Sequence, residues 1–132
     1  MTDRGAEAAR TEAASTELPS PAVLILADDL IWSTRLADAV AAAGGRPQRL
    51  RQLAGLEGFR ASHAIVDLTA RAYDGVAAIK AIAATGARVV AVGQHDDVPL
   101  RRAAQEAGAE RVFTYRALFE AGPRTIAKWL TS

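Results

Sequence analysis

From residue 22 onward, short apolar runs alternate with longer segments whose apolar residues recur at helical spacing. The runs at 23–27 and 64–66 hold only Val, Ile, Leu and Ala, as expected for strands buried on both faces of a sheet. Consecutive parallel strands need a crossover, which is usually a helix. The pattern therefore predicts a three-layer α/β/α sandwich around a five-stranded parallel sheet.

Local signals place the elements along the chain. The predicted strands are 23–27, 49–53, 63–67, 89–92 and 112–114. One helix is expected to start at a Ser33 cap and to stop at Gly44 and Gly45, and a second covers 75–84. A third is capped by Asp97 and runs from Pro99 to Gly108, and Pro123 opens the last. Residues 54–62 leave room only for a turn of helix, and 117–121 are predicted to form a turn.

Composition excludes several classes of protein. The chain has no cysteine, which excludes a disulfide scaffold, a thiol nucleophile and a cysteine-ligated zinc site. Its formal net charge is +1, which gives no indication of a nucleic-acid or membrane partner. No apolar run approaches the roughly 20 residues that span a bilayer, and no signal peptide is recognisable. A cytoplasmic protein is expected.

The first 20 residues differ from the rest. After Met1, Leu18 is the only large apolar side chain before the Pro19-Ser20-Pro21 segment. Such a stretch has little to bury, so we expect a flexible tail over 1–20, with at most a transient helix over 6–14, and a folded domain over 21–132.

Carboxylates follow two of the buried strands. Asp28 and Asp29 come directly after the first run, and Asp67 ends the third. Ligands of open parallel sheets bind beyond the carboxyl ends of the strands, where these acids would meet. Clustered carboxylates suit Mg²⁺, which prefers hard oxygen ligands, and a carboxylate beside the metal can attack phosphorus. Solvated helix caps are the structural alternative.

Over residues 22–131 the sequence resembles the CheY-like receiver domain of two-component response regulators. The likeness rests on residues 23–29, on 64–67, on Asp74-Gly75 after Asp67, and on 107–109 before the fifth strand. It implies the flavodoxin-like strand order 2-1-3-4-5. It also implies that Asp67 accepts a phosphoryl group and that Asp28, Asp29 and Asp67 hold Mg²⁺, with a histidine kinase or a downstream effector as partner.

Two positions of the expected phosphate-binding site depart from that family. Gly93 stands where a Thr or Ser hydroxyl usually holds the phosphoryl group, and Tyr115 stands where a Lys usually pairs with it. Arg116 is a candidate phosphate-binding substitute, although a surface position explains it as well. Without such contacts, phosphorylation has little means of shifting a conformational equilibrium.

The leading hypothesis is therefore a stand-alone pseudo-receiver. It would be a signalling module rather than an enzyme, acting through protein–protein contact with weak or no phosphorylation switching. The alternatives are a functional receiver phosphorylated on Asp67 and a small magnesium-dependent phosphohydrolase. The family also suggests a docking or homodimer surface on the 99–107 helix, the fifth strand and the last helix, which would present some of Arg101, Arg102, Arg111 and Trp129.

Overall fold

The computed structural model describes residues 20–94 and 96–132. The strands are β1 (Ala22–Leu26), β2 (Arg46–Leu50), β3 (His63–Asp67), β4 (Arg88–Val92) and β5 (Ala109–Phe113). The helices are α1 (Leu30–Ala42), α2 (Gly75–Ala83), α3 (Val98–Ala107), α4 (Tyr115–Ala121) and α5 (Pro123–Thr131). A 3-10 turn, Leu56–Gly58, lies between β2 and β3.

The sheet has five strands in the order β2-β1-β3-β4-β5, and all pairs are parallel. The predicted fold is thus confirmed. β1 and β3 are buried along their whole length because helices cover both faces of the sheet, and that is why their sequences read as continuous apolar runs.

The sheet divides the interior into two apolar layers. On one face, Leu24, Leu26 and Val66 pack against α2 and α3. On the other face, residues of the opposite strand parity, such as Val23 and Ile25, pack against α1, α4 and α5. The alternation follows from the period of two along a strand.

Several predicted boundaries were wrong. The second strand is Arg46–Leu50 rather than 49–53, because Gly44 ends α1 with a positive φ and β1 pairs Ala22 with Arg46. This edge strand is polar and contains Pro47, which an edge position tolerates because it needs fewer ladder hydrogen bonds. The fifth strand starts at Ala109, earlier than predicted.

Two helix predictions also need correction. α1 is capped by Asp29, not Ser33, and begins three residues earlier than expected, since the chain turns directly from β1 into the helix. Residues 117–121 belong to the full helix α4, whose cap is Thr114, and do not form a turn. The predicted Asp97 cap of α3 and the opening of α5 at Pro123 are confirmed.

The tail and His95 lie outside the described residues. Among the helices of the described part of the chain, none combines the length and the apolar character needed to cross a membrane.

Candidate functional site

Asp67 ends β3 at the carboxyl edge of the sheet and is only 1% exposed. Its Oδ1 accepts hydrogen bonds from the Thr69 amide at 2.8 Å and from the Thr69 hydroxyl at 2.7 Å. Its Oδ2 is buried and has no hydrogen-bond partner among the residues that the structure describes. One oxygen is thus held by the following loop and the other is left free, an arrangement that suits either a bound group or a nucleophile.

Asp28 follows β1, the strand beside β3, and its side chain binds the loop that follows Asp67. Its Oδ2 accepts hydrogen bonds from the Arg71 and Ala72 amides at 2.8 and 3.0 Å. Burial opposes ionisation of this carboxyl, yet those two amides and the positive charge of Arg51 outweigh it and lower the pKa of Asp28. The carboxylate therefore ties the β3–α2 loop to the end of β1.

Asp29 is exposed and caps α1, accepting a hydrogen bond from the Trp32 amide at 3.0 Å. Throughout residues 20–94 and 96–132, no three His, Asp or Glu side chains are grouped so that they could hold a metal ion. Asp28 and Asp29 each bind backbone amides through one carboxylate oxygen, Oδ2 of Asp28 and Oδ1 of Asp29. The roles of the three acids as phosphoacceptor and metal ligands stay predictions.

Tyr115, the first residue of α4, reaches back to Asp67. Its ring stacks on Trp32 with centroids 4.1 Å apart, which fixes its direction. Burial, the Asp67 charge and the closeness of the hydroxyl to that carboxylate raise the pKa of Tyr115 well above its usual range. The hydroxyl does not reach full hydrogen-bond geometry with any group. The phenol is thus protonated at neutral pH and brings no positive charge to the site.

Leucine fills the space beside Gly93. A Cβ added at Gly93 would lie 3.3 Å from the Leu68 Cβ and Cδ1, and one added at Gly75 would lie 2.9 Å from the Leu68 Cδ2. Leu68 itself is buried. Two glycines therefore make room for one leucine side chain, and a β-branched hydroxyl at position 93 does not fit without a shift of its neighbour.

A cavity of about 410 Å³ opens at this edge. Its lining comprises Trp32, Thr69, Gly93, Gln94, Asp96, Thr114 and Tyr115. Arg116 does not line it: the guanidinium Nε lies 2.8 Å from Glu120 Oε2, and the side chain is 86% exposed. In this structure the candidate phosphate-binding arginine is a surface residue of α4.

Solved structures that match this chain include response regulators. The receiver domain of a DNA-binding response regulator from Colwellia psychrerythraea matches with a TM-score of 0.73 and 19% identity, over 86% of this chain and 100% of that one. A response regulator from Thermotoga maritima matches with a TM-score of 0.71 and 15% identity, over 86% and 99%. The chain has the CheY-like receiver fold.

A further match is a solved structure that contains a phosphorylated aspartic acid. It is a response regulator from Burkholderia pseudomallei with a phosphorylated aspartic acid and a calcium ion, with a TM-score of 0.67, 17% identity, and coverage of 85% of this chain and 71% of that one. At these identities the likeness shows the fold. No protein-family model matches the chain, and neither does any curated protein.

Within this receiver fold, sequence reasoning missed two residues of the site. The Tyr73 hydroxyl lies 2.8 Å from the Leu26 carbonyl oxygen and 2.7 Å from that of Asp67, so it joins the ends of β1 and β3. Thr69 was recognisable, since an Asp followed two residues later by Thr favours a local side-chain turn. Nothing in the sequence around Tyr73 indicated its contact.

The suggested dimer surface of the receiver fold is basic. Arg111 lies over the Phe113 ring, 4.8 Å from its centroid, and Arg102 is exposed on α3. Trp129 is half-buried: it packs edge-on against His63, with centroids 4.7 Å apart, and lines a surface cavity together with Arg111 and Phe113. The use of this surface for dimerisation stays a prediction.

Proposed function

We propose that this protein is a cytoplasmic signalling module of the two-component type that acts by binding another protein, and that its output does not depend on phosphorylation of Asp67. The receiver fold shared with response regulators supports the class of module. The residues that follow β4 and β5 at the site, Gly93 and Tyr115, support the independence from phosphorylation.

The observation that carries the proposal is the Tyr115 hydroxyl beside Asp67. A lysine there would add a charge-assisted hydrogen bond to a phosphoryl oxygen, worth about 1.5–3 kcal/mol. A neutral phenol offers a weaker donor and no charge. Within the described residues the ion pairs are Arg88–Glu110 and Arg116–Glu120, so neither provides a cation to Asp67.

Leu68 supports the same conclusion from the β4 side. In the resembling family a hydroxyl at the end of the fourth strand contacts the phosphoryl group, and here Gly93 has no side chain and Leu68 packs 3.3 Å from where its Cβ would lie. A phosphoryl group on Asp67 would then make no contact that differs between two conformations. A ligand that binds two conformations with equal affinity does not shift the equilibrium between them.

Exposed apolar side chains next to the site support a protein partner. Leu30 and Ile31, in the first turn of α1, are 62% and 70% exposed. Apolar residues beside the ring of Trp32 are the type that protein interfaces bury. We propose that a histidine kinase or a downstream effector contacts this surface, with self-association through the basic α3–β5 surface as a separate possibility to test.

The test uses acetyl phosphate as a small-molecule phosphodonor with Mg²⁺, read by intact mass. We expect the unmodified chain to gain no phosphoryl group and Tyr115→Lys to gain one. Tyr115→Phe is the matched control because it keeps the stacked ring and adds no charge, and Asp67→Asn in the Tyr115→Lys background should remove the modification. Stable phosphorylation of the native chain that also shifts the amide NMR signals of β4 and β5 would overturn the proposal.

One observation favours a functional phosphoacceptor instead, namely the buried and unpartnered Asp67 Oδ2. Under that candidate the native chain and Tyr115→Phe are both modified, and Asp67→Asn is not. A phosphohydrolase would in addition release phosphate from p-nitrophenyl phosphate over many turnovers, which we do not expect because Thr69, and not a second acid, holds Asp67 in the following loop.

A further inference from the structure

A groove far from the carboxylates runs along the β2–β3 connection. Its volume is about 950 Å³, larger than that of the cavity beside Asp67. Its lining comprises Leu53, Leu56, Glu57, Phe59, Arg60, Ala61, Ser62, Ala81 and Thr85. The connection forms one side of the groove and α2 forms the other.

The groove exists because the β2–β3 connection is short. Every other crossover of the sheet carries a helix, and this one carries only the 3-10 turn Leu56–Gly58. Leu53, Leu56 and Phe59 pack against the buried core but remain partly exposed themselves. This face of the sheet thus lacks part of its outer layer, and apolar side chains are left in contact with solvent.

The N-terminal segment joins the described chain beside this groove. The Ala22 carbonyl accepts a hydrogen bond from the Ser62 amide at 3.1 Å, and the Ser62 hydroxyl lies 3.4 Å from the same oxygen. Ser62 lines the groove. The described chain therefore begins, at Ser20, next to one end of an uncovered apolar surface.

We propose that residues 1–19 bind in this groove and supply the missing cover of the sheet. The large apolar side chains of the segment are Met1 and Leu18, too few to form a core by themselves, and the groove offers an apolar surface against which they can be buried. If helical, its small residues Ala6, Ala9 and Ala13 would share one face. Small side chains suit a shallow groove because they let a backbone approach closely.

The length of the segment agrees with this occupant. The connection crosses the sheet along a five-residue strand, about 17 Å, which roughly 12 residues of helix would match. The groove lining carries one acidic and one basic side chain, Glu57 and Arg60, so its charges cancel and do not select the occupant. Because the segment is tethered, weak contacts suffice to occupy the groove.

The inference is independent of the proposed function and can be tested with one spin label. The chain has no cysteine, so Ala8→Cys creates a unique attachment site. In a helix, position 8 lies opposite the face of Ala6, Ala9 and Ala13, so a nitroxide there would not block the contact. We expect the nitroxide to broaden the amide signals of Phe59 and Thr85 and to spare that of Arg116.

A matched pair of variants on α2 shows whether the broadening reports binding in the groove. Ala81 and Ala77 are both exposed on that helix, and only Ala81 lines the groove. Ala81→Glu should abolish the broadening because it adds bulk and negative charge there, whereas Ala77→Glu should leave it unchanged. Loss in both variants, or in neither, would overturn the proposal.

A mixed sample identifies the occupant. The spin-labelled protein, made at natural isotope abundance, is mixed with nitrogen-15 protein that carries no spin label. Binding within one molecule predicts no broadening of the nitrogen-15 chain. Broadening at Phe59 and Thr85 in the mixture would show that a second copy fills the groove, and absence of broadening in both samples would show that the segment does not bind there. Either result contradicts the proposal.

Discussion

The two halves of the carboxyl edge of the sheet carry different chemistry. The acid half, at the ends of β1 and β3, keeps the carboxylates Asp28, Asp29 and Asp67. The opposite half, at the ends of β4 and β5, presents Gly93 against a leucine side chain and a tyrosine ring stacked on tryptophan. A group on Asp67 would therefore lie between carboxylate side chains on one side and packed apolar side chains on the other.

The comparison teaches that acidic residues at strand ends do not by themselves imply phosphate chemistry. Asp29 caps a helix and Asp28 holds a loop, and either use accounts for a carboxylate at its position. A response to phosphorylation needs a differential contact, and that contact would have to come from the β4 and β5 half.

The largest effect is expected from placing a hydroxyl in the β4 and β5 half. In Gly93→Thr the new Cβ would lie about 3.3 Å from the Leu68 side chain, and the threonine adds two further heavy atoms. We expect a loss of about 1–3 kcal/mol in the free energy of unfolding, as is typical of overpacking. Urea denaturation measures it.

A double-mutant cycle identifies Leu68 as the cause. In the Leu68→Ala background, Gly93→Thr should cost less than it does in the native chain, because the added atoms occupy the vacated space. An equal cost in both backgrounds would mean that Leu68 does not block the position.

A smaller effect is expected in the acid half. Asp28→Asn should lower stability at pH 7 by about 1 kcal/mol, because a neutral amide oxygen accepts the Arg71 and Ala72 hydrogen bonds less strongly. The pKa of Asp28 is lowered in the fold, so its contribution is present above its unfolded pKa and is lost as pH falls through the folded pKa.

The pH dependence provides the matching control. Stability is measured by urea denaturation from pH 7 to pH 3 in both chains. The difference between the native chain and Asp28→Asn should shrink as the solution becomes acidic. A difference that stays constant with pH would contradict a role for the charged carboxylate.

The smallest effect is expected at Arg116. Its exposed ion pair with Glu120 is of the type that contributes about 0.5 kcal/mol or less. Arg116→Ala should leave stability nearly unchanged, and it should not alter the phosphorylation of Tyr115→Lys by acetyl phosphate. A loss of that modification would show that Arg116 reaches the phosphoryl group after all.

Much of the fold was predictable because the central strands carry a strong signal. A strand that is buried on both faces of the sheet must be apolar along its length, so β1 and β3 were located to within a residue. The edge strand β2 gave no such signal, since one of its sides faces solvent. Ser33 and Asp29 are both good caps, and only the direction of the chain after β1 decides between them.

The positions of the site residues were predictable, but their contacts were not. Strand ends place Asp28 and Asp67 at the same edge whatever their partners are. The amides that bind Asp28 come from residues 43 and 44 positions further along the chain, and no local pattern indicates them. The same holds for the stacking of Tyr115 on Trp32, which joins α4 to α1.

The central claim is that the β4 and β5 half does not respond to a phosphoryl group on Asp67. The most direct measurement is an amide NMR titration with Mg²⁺ and then beryllofluoride, an acyl-phosphate mimic, comparing the native chain with Asp67→Asn. We predict that neither ligand moves the signals of β4 and β5 in either chain. Shifts over Arg88–Val92 and Ala109–Phe113 that occur in the native chain and vanish in Asp67→Asn would contradict the account.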